Sequence, residues 1–180
     1  MRKHLLAPGA YVQGEGVIAA EESFTTLQGT TAFVLGGETA LSMTESALQS
    51  GLESAGLDVA AIEPRVDSCT FDRIDSLADD AAVDAADTII GVGGGVALDT
   101  SKAVADALDA ELVTVPTIAS TDAPCSSVSV VYDEAGDFDG YVHRDRDPDL
   151  VIVDTGIIVQ APARFLQHGM GDAFATRFEA

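Results

Sequence analysis

IIGVGGGVALDTSKAVAD, residues 89–106, passes from an apolar segment through Gly93, Gly94 and Gly95 into helical spacing. A short continuous apolar segment is the pattern of a strand buried on both faces of a parallel sheet. Glycines at the junction permit positive φ and let a ligand approach the backbone closely. The helix that follows offers unpaired N–H groups and the positive end of its dipole. Together these features make an anion site of the kind that holds a phosphate. The spacing GVGGGV departs from GxGxxG and from GxxxxGK, so a tight turn without a ligand is the competing reading. Asp99 and Lys102 lie at i and i+3 on one helix face, where an ion pair is their simplest use.

The same alternation extends on both sides. AFVLGG, from Ala32, is a strand entering a glycine turn, and ETALSMTESALQSGLESAG follows with Leu41, Ala47, Leu48 and Leu52 on one helical face. Gly56 is placed to cap that helix at its C-terminus. LDVAAIEP is a strand stopped by Pro64. FDRIDSLADDAAVDAA reads as one helix with a stripe of Ile74, Leu77, Ala78 and Ala81. ELVTVP is the strand after ALDTSKAVADALDA. Strand–helix alternation of this kind predicts an α/β fold with a doubly wound, mainly parallel sheet. After Pro116 comes a polar loop, TIASTDAPCSS, then SVSVVY and FDGYV around EAGD, a β-hairpin insertion. LVIVD is a further buried strand. A helical segment begins after Pro162 and runs to Ala180 without a cap, which predicts that more of the protein follows.

Composition narrows the function. The chain has 180 residues, 47% hydrophobic, with 30 acidic residues against 9 basic ones and a net charge of −21. The acids are dispersed rather than gathered in a tail, and Lys3 and Lys102 are the only lysines. Such a surface repels nucleic acid. It suits a salt-loaded cytoplasm, because the Debye length falls to about 3 Å at 1 M salt and self-repulsion is then screened. No apolar run approaches the roughly 20 residues of a membrane span. The apolar stretch behind the basic opening MRK is too short for a signal peptide. Cys69 and Cys125 share no metal-ligand spacing and read as reduced thiols.

Three stretches taken together resemble a known family: GVGGGVALDTSKAVAD, then VPTIASTDAPCSSVSVVY, then PDLVIVDTGIIVQAPARFLQHGMGDAFAT. With the early YVQG at Tyr11–Gly14, they resemble in order and spacing the glycerol dehydrogenases of the iron-containing (group III) alcohol dehydrogenase superfamily. The resemblance implies that residues 1–161 form a Rossmann-like dinucleotide-binding domain and 162–180 the first helix of a helical metal-binding domain. It implies that Gly94, Gly95, Val96, Ala97 and Asp99 surround the cofactor pyrophosphate, with Thr117 and Ser120 beside the cofactor. Ser126, Val128 and Tyr132 would contact the nicotinamide end. Asp122 would bind a substrate hydroxyl, and Asp172 would be one ligand of a zinc ion, or iron as in many relatives. Two histidines outside this chain would complete that metal site. The reaction implied is reversible oxidation of glycerol to dihydroxyacetone with NAD or NADP. The expected partners are a small polyol and, for the full-length protein, further copies of itself.

Read as residues alone, Asp122 could serve a turn with Pro124, and Asp172 a helix cap or the surface. His168 lies four residues before Asp172, but Gly169 and Gly171 argue against a regular helix there, and the family pattern places no ligand at His168. Two departures from the family stand out. Val96 replaces a usual lysine, although relatives with serine there still bind cofactor. Gly37 replaces the aspartate that follows the first strand in NAD-using members, an acid that bonds the ribose 2′-OH and repels a 2′-phosphate. Glu38 is the nearest substitute, and the nearest basic residue in sequence, Arg65, follows the next strand. Both cofactors are therefore expected within about tenfold of each other. A glycerol-1-phosphate dehydrogenase or a dehydroquinate synthase would need cations for the substrate, and STDAPCSS has none. A non-catalytic nucleotide-binding fragment is the remaining alternative. The dispersed charge makes one prediction: the melting temperature rises between 0.1 M and 2 M potassium chloride. Equal melting temperatures at the two concentrations would contradict the salt adaptation.

Overall fold

The structure is a computed structural model that describes residues 7–179, so the basic opening lies outside the described residues. Six strands form one parallel sheet: β1 (Ala10–Gly14), β2 (Thr31–Gly36), β3 (Asp58–Glu63), β4 (Thr88–Gly93), β5 (Glu111–Pro116) and β8 (Leu150–Asp154), in the order β1-β8-β5-β4-β2-β3. Every residue of β4 is buried, as a central parallel strand requires. Successive residues feed opposite cores because strand side chains alternate faces. Ile90, Val113 and Val34 pack with Leu48 and Leu52 of α1 (Glu38–Ser54). Ile89, Leu112 and Phe33 pack on the other face with Leu77 of α2 (Phe71–Ala78), Val83 of α3 (Ala81–Asp84) and Val104 of α4 (Gly95–Ala107). The sheet is thus wound on both sides, as the alternation predicts.

The strand order sets the place of a ligand. From β2 the chain moves outward through α1 to β3, then returns across β2 to lay β4 on its other side. The crossovers on either side of β2 and β4 diverge at their carboxyl ends, which is where open α/β sheets bind ligands. The hairpin, β6 (Val128–Tyr132) and β7 (Phe138–His143), is a separate antiparallel pair. It is anchored by Val131, which is fully buried beside α4 residues. A short α5 (Thr155–Ile158) and the long α6 (Ala163–Glu179) end the chain.

Three details differ from the sequence pattern. The stripe through residues 71–86 is broken into α2 and α3. Asp80 takes an extended conformation and its carboxylate accepts the Ala82 N–H at 2.8 Å, capping a new helix. That reset buries Val83 and leaves Ala81 exposed. YVQG belongs to a strand, β1, paired in parallel with β8. Finally, α6 is continuous through Gly169 and Gly171. The expected cap at Gly56 is present: its φ is 82°, its N–H reaches the Glu53 carbonyl, and the Leu57 N–H reaches the Leu52 carbonyl.

Gly51 lets α1 settle against a 3₁₀ turn at Val17–Ala19. A Cβ there would stand 2.6 Å from the Ile18 carbonyl oxygen and 2.7 Å from the Phe24 ring. Alanine ordinarily gains about 1 kcal/mol over glycine inside a helix. Here overpacking against backbone outweighs it, and Gly51→Ala is expected to lower unfolding free energy by roughly 1–3 kcal/mol in urea. A gain in stability would contradict this packing.

Candidate functional site

A cleft of about 780 Å³ opens where β2 and β4 part. Its lining includes Gly37 on one side and Gly93–Ala97 on the other, with Thr117 after β5 and side chains such as Met43, Ile118 and Phe165. Gly93 has a φ of 143°, a conformation that favours glycine. Gly94 is the N-cap of α4 and supplies no side-chain cap. The first helical bond runs from the Leu98 N–H to the Gly94 carbonyl at 3.1 Å, so the N–H groups of Gly95, Val96 and Ala97 have no helical partner. A Cβ on Gly95 or Gly37 would meet no atom within 4 Å. The cradle is therefore open backbone at a helix N-terminus, with the donors that a diphosphate needs.

A second cleft of about 610 Å³ adjoins it and shares Gly95 and Val96. Asp122, Asp172, Ser126, Val128, Tyr132 and Asp99 line it. The Asp122 N–H donates to Asp172 Oδ2 at 3.1 Å, which ties the loop after β5 to α6. The Asp122 carbonyl accepts from the Cys125 N–H, so the residue also makes the turn that its sequence suggested. Beneath the loop lies Lys102, fully buried. Its ammonium pairs with Asp99 Oδ1 at 2.7 Å and donates to the Ala123 and Val128 carbonyls. Asp99 Oδ2 accepts from the Val130 N–H, and the Asp99 carbonyl accepts from the Ser129 hydroxyl. Burial pushes the Asp99 carboxyl above its ordinary range, and Lys102 and the Val130 N–H draw it back. Burial likewise pushes the Cys69 and Cys125 thiols above their ordinary range.

The structure therefore divides the sequence-derived residues into two groups. Gly37, Gly94, Gly95, Val96, Ala97 and Thr117 line the first cleft. Asp122, Ser126, Val128, Tyr132 and Asp172 meet in the second. Asp99 lines the second cleft, beside Gly95 and Val96, and its carboxylate is bonded to Lys102 and to the Val130 N–H of the hairpin. Ser120 lines neither cleft and lies under α6, where Gly169 approaches the Ala119 carbonyl. His168 is exposed and edges onto Phe165. Among the described residues, no three His, Cys, Asp or Glu side chains are grouped to hold a metal ion. Arg164, Phe165 and Gln160 also line the first cleft, and sequence spacing gave no sign of them.

The fold recurs in known proteins. Residues 8–155 match the family described as iron-containing alcohol dehydrogenase. The chain belongs to the iron-containing alcohol dehydrogenase family. It is 44% identical to the glycolaldehyde reductase of Halobacterium salinarum, over 97% of this chain and 47% of that protein. It is 41% identical to a glycerol dehydrogenase of Escherichia coli, over 100% of this chain and 49% of the relative. A crystal structure of a probable glycerol dehydrogenase from Sinorhizobium meliloti superposes with a TM-score of 0.87 at 35% identity, covering 99% of this chain and 48% of that one. The chain thus spans about half the length of the relatives it matches.

In this member of the iron-containing alcohol dehydrogenase family, the Asp99–Lys102 pair is held in the interior beneath the second cleft. Removing one partner strands the other in the interior. Lys102→Ala is expected to lower unfolding free energy by about 3–5 kcal/mol, and the double change Asp99→Asn/Lys102→Met to recover part of it. A single-variant loss below about 1 kcal/mol, the range of an exposed pair, would contradict the burial.

Proposed function

We propose that the chain is the nucleotide-binding half of an NAD(P)-dependent oxidoreductase that interconverts glycerol and dihydroxyacetone by reversible hydride transfer. The observation that carries this reading is the meeting of the two clefts at Gly95 and Val96. One offers backbone N–H groups to a diphosphate, and the other offers an uncommitted carboxylate to a hydroxyl. Bound in the first cleft, NAD(P) would supply the hydride acceptor. The N–H groups of Gly95, Val96 and Ala97 fix the diphosphate, and Thr117 closes the floor of the cradle. Asp122 then orients a second hydroxyl of the substrate, which selects vicinal diols over simple alcohols.

The donor set for a metal is incomplete within these residues. Asp172 supplies one carboxylate, whereas catalytic zinc sites use about three protein ligands. Asp172 is proposed as one ligand of zinc or iron, completed by histidines elsewhere in the protein. The apolar residues Leu166, Met170, Phe174 and Phe178 recur along α6 and are all exposed. They favour the assignment of residues 162–180 to a helical domain and 1–161 to the nucleotide domain. The described residues include no helix long and apolar enough to cross a membrane. A cytoplasmic, self-associating enzyme working at high salt is part of the proposal.

A phosphorylated substrate is disfavoured because Lys102, the cation in the second cleft, is buried and already bonded on three sides. Glycolaldehyde, named for the Halobacterium salinarum relative, carries its hydroxyl next to the carbonyl and is a second substrate to assay. In the full-length protein, Asp122→Ala should raise the glycerol KM at least about tenfold while changing that of 2-propanol much less, the loss of one hydrogen bond to a charged group. Steady-state assays on both alcohols check this, and equal effects would remove Asp122 from substrate selection. Absence of turnover with every polyol in the full-length wild type would favour the non-catalytic fragment instead.

A further inference from the structure

The fold brings an arginine remote in sequence to the margin of the first cleft. Gly37 and Arg65 face each other across an isolated antiparallel bridge, although β3 separates them in sequence. The bridge is bonded through the flanking residues, with the Val66 N–H donating to the Gly36 carbonyl at 3.2 Å. Gly37 and Arg65 are therefore a non-hydrogen-bonded pair, in which both side-chain positions emerge close together on one face. On that face a Cβ of Gly37 would meet nothing within 4 Å, and Gly37 lines the first cleft. Arg65 does not itself line the cleft, whereas its neighbour Val66 does, so the Arg65 Cβ stands at the cleft's margin, opposite the position an aspartate at residue 37 would occupy.

Two carboxylates stand two residues from Arg65 in sequence: Asp67 is exposed and forms no ion pair with it among the described residues, and Glu63 is already engaged. Glu63 Oε2 pairs with Arg73 at 3.2 Å, and Glu63 Oε1 accepts the Arg65 backbone N–H at 2.8 Å. Arg65 itself is exposed, and among the described residues its guanidinium has no ion pair or hydrogen bond. In a chain with 30 acidic residues, an arginine left without a carboxylate is conspicuous. Beside it α1 begins at Gly37 without a side-chain cap, and its first helical bond runs from Leu41 to Gly37. The N–H groups of Thr39 and Ala40 have no helical partner, while that of Glu38 faces the Pro64 carbonyl across the bridge. Glu38 opposes an anion here, but it is exposed to solvent, where its charge is screened.

We propose that Arg65, with the N-terminus of α1, binds the 2′-phosphate of NADP and makes the cleft selective for NADP over NAD. A guanidinium fork matches a phosphate in geometry as well as charge. The proposal rests on the first cleft being a dinucleotide site, and it departs from the near-equal use expected from sequence order alone.

Calorimetric titration of the full-length protein with 2′,5′-ADP and with 5′-ADP tests it without nicotinamide, metal or turnover. The wild type should bind 2′,5′-ADP about 10- to 100-fold more tightly, the range of a hydrogen bond to a charged group. Arg65→Gln should bring that ratio close to one, and Arg65→Lys should retain part of it. Circular dichroism of each variant controls for folding. Binding of both ligands with equal affinity by the wild type, or a preference that survives Arg65→Gln, overturns the role of Arg65 while leaving the dinucleotide site standing. Binding of neither ligand overturns the site and the proposal together.

Discussion

The junction of β4 and α4 is the constraint from which the rest follows. Gly93 must hold a φ of 143°, and the chain must then enter a helix at once. Only a residue without Cβ makes that turn at low cost, and only an uncapped helix start leaves the N–H groups of residues 95–97 free. The sheet around it is arranged to the same end. The return crossover from β3 lays β4 against β2, so the two glycine turns after these strands, at Gly37 and Gly93–Gly95, open into one cleft.

Behind that cleft a buried charge sits within the apolar packing. Residues 97–105 of α4 are all buried, and Lys102 and Asp99 are among them. The ammonium has three acceptors on three segments: α4 itself, the loop at Ala123 and β6 at Val128. A hydrophobic residue of equal volume could fill the space, but it could not fix the loop and the hairpin in register with the helix. In this way a charged pair within α4 positions the backbone of Asp122 and the lining of the second cleft. The energetic weight of the pair and the geometry of the proposed substrate site are therefore two sides of one arrangement.

Much of the fold was legible because buried parallel strands advertise themselves. AFVLG, TIIGV, ELVTVP and LVIVD are short, largely apolar runs bounded by turn residues and rich in β-branched side chains, which favours buried strands over helices. β1 was not legible, since AYVQG is a short edge strand of alternating burial that becomes regular only by pairing with β8. The split of α2 from α3 depends on Asp80 choosing a cap over a helix interior, a local competition that periodicity does not score. Gly169 has the look of a helix breaker, yet a tertiary contact with Ala119 explains its presence and α6 continues through it. For the site, the glycine cradle and the residues of the polar loop were readable from spacing and resemblance. What sequence could not supply was proximity across the sheet. The Asp99 carboxylate is bonded to Lys102 and the hairpin, and Arg65, remote from Gly37 in sequence, is set opposite it by the fold.

The central claim is that this junction and the turn after β2 hold a dinucleotide. Hydrogen exchange of the full-length protein, with and without saturating NADPH, tests it most directly, because backbone amides are the proposed ligands. The account predicts slowed exchange in peptides spanning residues 37–40 and 93–98, with little change in β7, which lines neither cleft. Protection confined to other segments, with those amides exchanging as fast as in the free protein, would contradict it.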